Sequence, residues 1–289
     1  MRKNYEPALF IAPAMIALLA VVIFPTLFLY YVSLTNYSLS SGWDTRKFVG
    51  LQNYLFLLFQ DPLFWKSLGL TIMFVASTVS VELALGMLVA LGLGRLKVSR
   101  RLALSIIIIP MVCTPSIIGL MWKLILNTEY GVANFLLGLI GLGKVNWLGS
   151  SSAFMSIVLV DIWQWTPFMV LMLHAALQSL PLEPFEAARM DGANGRQIFF
   201  GITLPMISRL VLVALILRLI DSIKVFDIIY SLTQGGPGTA TELLSLRIFR
   251  IGFLHSNMVG KASAYAVIMI LALSPLFSRL SGLLRRSTS

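Results

Sequence analysis

Six long apolar segments dominate this sequence, and each is near the length of about 20 residues that crosses the hydrocarbon core of a bilayer. They extend over roughly residues 8–34, 67–93, 102–126, 153–177, 206–231 and 260–284. Because lipid offers the backbone no hydrogen-bond partners, spans of this kind are helical. The sequence therefore predicts an all-α polytopic membrane protein, with six transmembrane helices in a single domain over residues 1–289.

The composition excludes an ordinary soluble protein. Hydrophobic residues make up 58% of the chain and charged residues only 12%. The formal net charge of +10 comes mostly from cations that flank the apolar spans, and we find no basic patch interleaved with aromatic residues. No nucleic-acid partner is expected. Cys113 is the single cysteine, so the chain cannot form an internal disulfide or a cysteine metal site.

The short loop between the second and third spans sets the predicted orientation. Its basic residues are Arg95, Lys97, Arg100 and Arg101. Positive residues in short loops remain on the cytoplasmic side, which predicts that both termini and the loop 178–205 are cytoplasmic. The first segment, which follows Arg2 and Lys3, is too long for a secretory signal and is expected to remain as a span. The C-terminal Arg285 and Arg286 agree with this orientation.

A polar segment in the loop 178–205 separates two of the apolar spans. Pro184 suits a first helical turn, and Glu186 is favourable at the positive end of the helix dipole. Gly192 and Gly195 interrupt a helical run. The segment therefore predicts a helix, a turn and a second short helix at the membrane surface.

The spacing of this loop is similar to that of a known family. Glu186-Ala187-Ala188, then Gly192, then Ile202-x-Leu204-Pro205 resembles the EAA loop of permease subunits in ATP-binding-cassette importers. In that family the first short helix is a coupling helix, seated in a cleft of the cytoplasmic ATPase. The resemblance implies that the ATPase-coupling residues are Glu186, Ala187, Ala188, Asp191, Gly192 and Phe199. An ordinary amphipathic loop is the alternative reading of the same residues.

Two further segments resemble carbohydrate permeases of the maltose-type importer family. One is Phe48-Val49-Gly50-Leu51-Gln52-Asn53-Tyr54, followed by Asp61-Pro62-Leu63-Phe64-Trp65. The other is Phe226-Asp227-Ile228-Ile229-Tyr230, followed by Thr233-Gln234-Gly235-Gly236-Pro237-Gly238. The resemblance implies a bacterial or archaeal cytoplasmic membrane protein and four kinds of partner besides membrane lipid. These are a second, homologous permease, two ATPase subunits, an extracytoplasmic solute-binding protein and a carbohydrate. It also implies that ATP and Mg²⁺ bind only to the ATPase subunits and that this chain carries no cofactor.

Polar and aromatic side chains recur at helical spacing in the fourth and fifth spans, which flank this loop. On the fourth they are Asp161, Gln164, Trp165 and Phe168, and on the fifth they are Arg218, Asp221, Ser222 and Val225. Residues at this spacing share one helix face, and charged groups inside a membrane face protein or water. The two faces predict one cavity for a sugar or polyol. By the resemblance, these positions coincide with the substrate cavity of the maltose permease, although that cavity is less charged.

Ion pairing alone could also account for the charges. Arg218 could pair with Asp221 or Asp161, and Lys224 with Asp227, while the sequence names no partner for Glu82. His174 and His255 lack a third ligand at a suitable spacing, so no metal site is expected. Neither a P-loop nor a nucleophile elbow occurs in the sequence, so no catalytic residue is expected.

Three alternative functions fit parts of the sequence. The substrate of the importer could be a sugar phosphate, a sugar acid or a sulfonated sugar instead of a neutral carbohydrate. A six-span secondary carrier could use protonation of Asp161 or Glu82, although it would not need an ATPase-docking loop. An intramembrane protease could draw on Ser150, Ser151, His174 and His255, but the serines and His174 fall toward opposite sides of the membrane.

Overall fold

Helices account for nearly all the regular structure in residues 6–95, 100–254 and 257–286, the residues that the computed structural model of the chain describes. In the first half they are α1 (Glu6–Leu18), α2 (Phe24–Ser33), α3 (Gln52–Phe59), α4 (Pro62–Arg95), α5 (Arg100–Val112), α6 (Pro115–Ile125) and α7 (Val132–Leu139). In the second half they are α8 (Ala153–Gln178), α9 (Glu183–Met190), α10 (Gly195–Ile198), α11 (Leu204–Ile223), α12 (Asp227–Leu232), α13 (Leu244–Phe249) and α14 (Val259–Arg286). Single π-helical turns occupy Leu19–Ile23, Phe199–Thr203 and Arg250–Leu254. Within these residues β pairing is limited to one isolated bridge between Thr35 and Phe48.

Four described helical stretches are long and apolar enough to cross a membrane. They are Phe10–Ser33, Pro62–Gly94, Ala153–Gln178 and Gly195–Ile223. The bent pair α5 and α6 would bring the number to five if it forms one span. The apolar part of α14, Val259–Pro275, is shorter. The all-helical membrane fold is thus confirmed for the described residues, while six spans remain a prediction.

The third predicted span is two helices and not one. A bend of 94° separates α5 from α6. Thr114 is extended, with φ −62° and ψ 129°, and Pro115 begins α6. A proline disfavours helical geometry in the residue before it, which explains the break inside the segment predicted at 102–126. Thr-Pro is itself a helix-start signal that hydropathy does not register.

The fifth apolar helix is displaced from its predicted range of 206–231. It begins at Gly195 and ends at Ile223, where Lys224 leaves the helical region with φ −92° and ψ 6°. A new helix, α12, begins at Asp227, whose negative charge is favourable in a first turn. Residues 225–230 are nearly as apolar as the helix before them, so composition alone did not locate this break.

The described residues group into two compact units. One consists of the residues up to Lys66 together with Arg247–Pro275, and the other of Ser67–Leu246 together with the residues from Leu276 onward. In the first unit, the Asn53 amide nitrogen donates hydrogen bonds to the carbonyl oxygens of Ser33 and Thr35, both at 2.8 Å. These bonds tie α3 to the end of α2.

A second polar contact of the first unit involves Asp61, just before α4. It accepts hydrogen bonds from Arg247 at 2.9 Å and from the hydroxyl of Tyr265. Burial raises the pKa of the Asp61 carboxyl, but the hydrogen bonds from Tyr265 and Arg247 and the charge of Arg247 outweigh it, so the net pKa lies below its ordinary value. The contact therefore joins the start of α4 and the last turn of α13 to α14 through an ionised carboxylate.

In the second unit, small residues let α4 and α8 approach closely. A Cβ atom added to Gly86 would lie 2.6 Å from the Cβ of Met169, which is closer than such atoms can pack. Ala90, one turn further along, is fully buried, whereas a Cβ on Gly94 would meet nothing within 4 Å. The close approach of the two helices therefore depends on the residue at position 86.

Candidate functional site

The polar loop begins with the short helix α9. Pro184 lies at its start, where proline fits the first helical turn. Glu183 and Glu186 lie in the first turn, where the positive end of the helix dipole favours acidic residues. Gly192 has a φ of +78°, a left-handed conformation that favours glycine. The predicted helix and turn are therefore confirmed.

The segment after the turn differs from the prediction. Asn194 caps the next helix: its side chain accepts from the backbone of Gln197 at 3.0 Å, and the Gln197 side chain accepts from the backbone of Asn194 at 2.8 Å. From Gly195 the chain is helical as far as Ile223. The predicted second short helix is α10 (Gly195–Ile198), but it continues through the π-helical turn Phe199–Thr203 into α11, so Gly195 also begins a long helical stretch.

The six residues that the sequence assigns to coupling lie on or near this turn. Glu186, Ala187, Asp191 and Gly192 are exposed, and Ala188 and Phe199 are half-buried. Because α9 lies in the chain between two long apolar helices, it forms an accessible polar surface where both helices end. This surface is available for contact with another protein.

Three charged side chains from three helices form a buried cluster in the second unit. Arg218 of α11 donates to Glu82 of α4 with two nitrogens, at 2.6 and 2.8 Å, and one of these nitrogens also contacts Asp161 of α8. All three side chains are at most 1% exposed. Two carboxylates therefore hold one guanidinium inside the helix bundle.

This cluster revises the predicted ion pairs. Arg218 does pair with Asp161, but its second partner is Glu82 and not Asp221. Asp221 instead pairs with Lys224 at 2.9 Å, so the predicted pair between Lys224 and Asp227 was wrong. The sequence could not name the partner of Glu82, because helical periodicity does not say which faces of different helices meet.

A cavity of about 140 Å³ lies beside the cluster. Six of the eight residues predicted for the substrate pathway line it: Asp161, Gln164, Trp165, Arg218, Asp221 and Val225. Phe168 and Ser222 are not among its lining residues, and the Ser222 hydroxyl lies 3.2 Å from that of Thr78 on α4. The wall also includes Lys224, Phe226 and Asp227, which the sequence did not assign to the pathway and which follow the end of α11 at Ile223.

Two residues that line the cavity each have a buried side-chain oxygen with no hydrogen-bond partner among the described residues. These oxygens are Oδ1 of Asp161 and Oε1 of Gln164, and both side chains are fully buried. The amide nitrogen of Gln164 donates to the carbonyl of Cys113 at 3.3 Å, which leaves its oxygen for another donor. Trp165 lies under the guanidinium of Arg218, with 5.3 Å from its carbon to the ring centroid. The wall thus combines hydrogen-bond acceptors with an aromatic face.

In this geometry His174 cannot serve as the base for Ser151 in the protease alternative. Ser151 precedes α8 and His174 lies near its end, so the rise of the helix separates them by about 30 Å. No nucleophile and base can meet across that distance. His255, Lys97, Arg2 and Lys3 lie outside the described residues.

The comparisons with known proteins agree with this fold. Residues 82–289 match the family of binding-protein-dependent transport system inner membrane components. The chain is 40% identical over 255 residues to the trehalose/maltose transport system permease protein MalF of Thermococcus litoralis, covering 88% of this chain and 85% of the relative. It is 37% identical over 268 residues to the sulfoquinovosyl glycerol transport system permease protein SmoG of Agrobacterium fabrum, covering 90% and 84%.

A solved structure extends the comparison to the fold. A chain of the crystal structure of a bacterial alginate ABC transporter, in complex with an alginate pentasaccharide-bound periplasmic protein, superimposes with a TM-score of 0.84. That match covers 99% of this chain and 96% of the other, at 22% identity. The matched family and relatives are transporter permeases, which is not a catalytic family. The chain belongs to the family of inner membrane components of binding-protein-dependent transport systems, and the predicted resemblance to importer permeases is confirmed.

Proposed function

We propose that this chain is the permease subunit of an ATP-driven importer for a neutral carbohydrate or polyol. The substrates for which its relatives are named, trehalose and maltose among them, support the carbohydrate class. The observation that carries the proposal is the pair of buried, unpartnered acceptors, on Asp161 and Gln164, beside the ring of Trp165. Sugar hydroxyls are hydrogen-bond donors and sugar rings have apolar faces, so a carbohydrate would satisfy both.

The charges of the cavity wall favour a neutral substrate over an anionic one. Asp161, Asp221 and Asp227 line it together with Arg218 and Lys224. The guanidinium of Arg218 is held by Glu82 and Asp161, and the ammonium of Lys224 by Asp221. Both cations therefore have carboxylate partners, and an added anion would face excess negative charge. A sugar acid, a sugar phosphate or a sulfonated sugar is the second candidate, and the name of the relative SmoG favours the sulfonated one.

The coupling surface in this proposal is the exposed loop around α9. Its short helix would seat in a cytoplasmic ATPase, and closure of two ATPase subunits on ATP would draw α9 toward the equivalent helix of a second permease. The long helices on either side would then rock the cavity between inward-facing and outward-facing states. Nucleotide and Mg²⁺ would bind only the ATPase subunits. An extracytoplasmic binding protein would deliver the sugar.

The proposal includes the membrane topology. All six apolar segments would cross the cytoplasmic membrane, with α5 and α6 forming one bent span and the remainder of α14 completing the last. Both termini and the loop 178–205 would lie in the cytoplasm, as the positive residues near Arg100 and Arg101 favour.

Uptake in cells that carry the complete importer tests the substrate class. The labelled substrate is a sugar that the cognate binding protein retains. Unlabelled trehalose, maltose and sorbitol are the neutral competitors of its uptake, and unlabelled glucuronate is the acidic competitor. At least one neutral compound should compete and glucuronate should not. Efficient competition by glucuronate alone would reject the neutral class.

A pair of tryptophan variants tests the cavity itself. Trp165→Ala should lower uptake several-fold, because it removes the aromatic face, while Trp163→Ala should retain most of it. Trp163 lies on the same helix, is 40% exposed and packs on Trp122 outside the cavity. Equal uptake by the two variants would count against the cavity as the substrate pathway.

A further inference from the structure

We propose that a second cavity, at the base of the loop around α9, binds the phosphate headgroup of an anionic phospholipid. This headgroup cavity has a volume of about 480 Å³ and includes Arg100, His174, Gln178, Glu186 and Arg189 in its wall. It shares no lining residue with the cavity beside Arg218, and its ligand is independent of what the protein transports.

The headgroup cavity lies where long apolar helices end. Gly94 is at the end of α4, Arg100 is the first residue of α5, and Leu177 and Gln178 are at the end of α8. Because about 20 residues cross the hydrocarbon core, the ends of helices as long as α4 and α8 extend past it, which in this proposal puts these residues at the level of the lipid headgroups.

The charge of the cavity suits a phosphate. Arg100 and Arg189 contribute two guanidinium groups, and among the described residues that line it Glu186 is the only acidic one. None of the ion pairs found in the described part of the chain involves either arginine. Guanidinium groups bind phosphate through paired, charge-assisted hydrogen bonds, so an anion here would complete both.

His174 supplies a further donor. Its Nε2 lies 2.9 Å from the side-chain nitrogen of Gln178, which is a donor, so a neutral imidazole accepts there and carries its proton on Nδ1. Nδ1 is buried and has no hydrogen-bond partner among the described residues, and the side chain is only 8% exposed. A phosphate oxygen is an acceptor that would satisfy this group.

The remaining wall is apolar, which favours a lipid over a soluble phosphate. Besides Leu177 it contains Ala90, Leu91, Leu180, Leu182 and Phe185. A glycerol backbone and the first carbons of an acyl chain would cover these side chains, whereas a soluble phosphate would leave them in water. Basic pockets between helices on the cytoplasmic side are known binding places for acidic headgroups.

Native mass spectrometry of the intact importer complex tests the proposal without measuring transport. The complex is exchanged into detergent with phosphatidylglycerol or phosphatidylcholine, and the bound lipid is counted. The unchanged protein should retain phosphatidylglycerol in preference to phosphatidylcholine. Arg100→Gln with Arg189→Gln should reduce phosphatidylglycerol retention about tenfold, the order of effect when a charge-assisted hydrogen bond is lost.

Two controls keep the result interpretable. Arg196→Gln with Arg209→Gln makes the same change in net charge at exposed positions outside the headgroup cavity, and it should leave retention unchanged. Arg189→Gln alone affects an exposed side chain, is not expected to disturb folding, and should lose part of the retention.

Three outcomes would overturn the proposal. Equal retention by the two double variants would show that the headgroup cavity is not the lipid site. Binding of glycerol 3-phosphate alone, with the same dependence on Arg100 and Arg189, would identify a soluble phosphate as the ligand. Loss of the ATPase subunits from the Arg100 and Arg189 double variant, with lipid retained, would assign these residues to a protein contact.

Discussion

Arg218 is held by carboxylates from two other helices, so its charge contributes to how α4, α8 and α11 pack. Glu82 and Asp161 are as deeply buried as the guanidinium between them. Removing one member of a buried ion pair leaves an uncompensated charge and costs about 3–5 kcal/mol. Removing a pair at the surface costs far less, about 0–1 kcal/mol.

Arg218→Gln should therefore strongly lower the thermal unfolding temperature of the purified permease in detergent. Arg218→Gln combined with Glu82→Gln should recover part of the loss, because one stranded carboxylate is then neutral. Lys224→Gln, which breaks the exposed pair with Asp221, should have little effect. An unchanged unfolding temperature in Arg218→Gln, together with lost uptake, would instead make Arg218 a substrate contact.

At the residue scale, the sequence located most of the polar positions but not all of their partners. Spacing along α8 identified Asp161, Gln164 and Trp165 as one face, and all three line the same cavity. The same reasoning was silent on Glu82, which lies 136 positions away from Arg218 in the chain. Pairing between distant helices depends on their packing, which a single sequence does not show.

At the scale of the helices, the loop around α9 was the most predictable part. Pro184, Glu186 and Gly192 each have a local physical role, and each occupies the predicted position in a helix or turn. The breaks after Cys113 and Ile223 were missed because the segments on both sides of each break are apolar. Hydropathy reports burial in lipid, and it does not report a change of helix direction.

Gly86 offers a direct test of the contact between α4 and α8. Gly86→Ala should destabilise the protein by about 1–3 kcal/mol, because the new Cβ would collide with Met169. Gly92→Ala is the matched control on the same helix, since a Cβ there meets nothing within 4 Å. It should be neutral or slightly stabilising, as alanine favours helix. Thermal unfolding of the two variants measures the difference, and equal values would contradict the observed contact.

At the scale of the whole molecule, composition and span length were enough to predict a helical membrane protein. The side chains of Phe10, Val21 and Phe24 are more than two-thirds exposed, which is favourable only against lipid or another apolar surface. Composition and span length did not fix the number of spans, because α14 is apolar over only part of its length. Orientation depends on a handful of charges and not on the fold.

Thiol labelling tests that orientation. Lys144→Cys and Arg196→Cys, each in a Cys113→Ala background, introduce thiols at exposed positions, the first in the segment before α8 and the second in α10 after it. In intact cells an impermeant reagent should label position 144 and should leave position 196 unmodified until the membrane is permeabilised. The reverse labelling pattern would show that the orientation is opposite to the proposed one and that α9 is not in the cytoplasm.

Coupling to an ATPase is the central claim, and ATP hydrolysis stimulated by the binding protein tests it most directly. Glu186→Lys places a cation in the first turn of α9, where it opposes the helix dipole on the proposed docking surface. Glu129→Lys makes the same change of charge at an exposed site between α6 and α7. In the reconstituted complex, Glu186→Lys should abolish most of the stimulation and Glu129→Lys should preserve it. Full stimulation in Glu186→Lys would contradict the account.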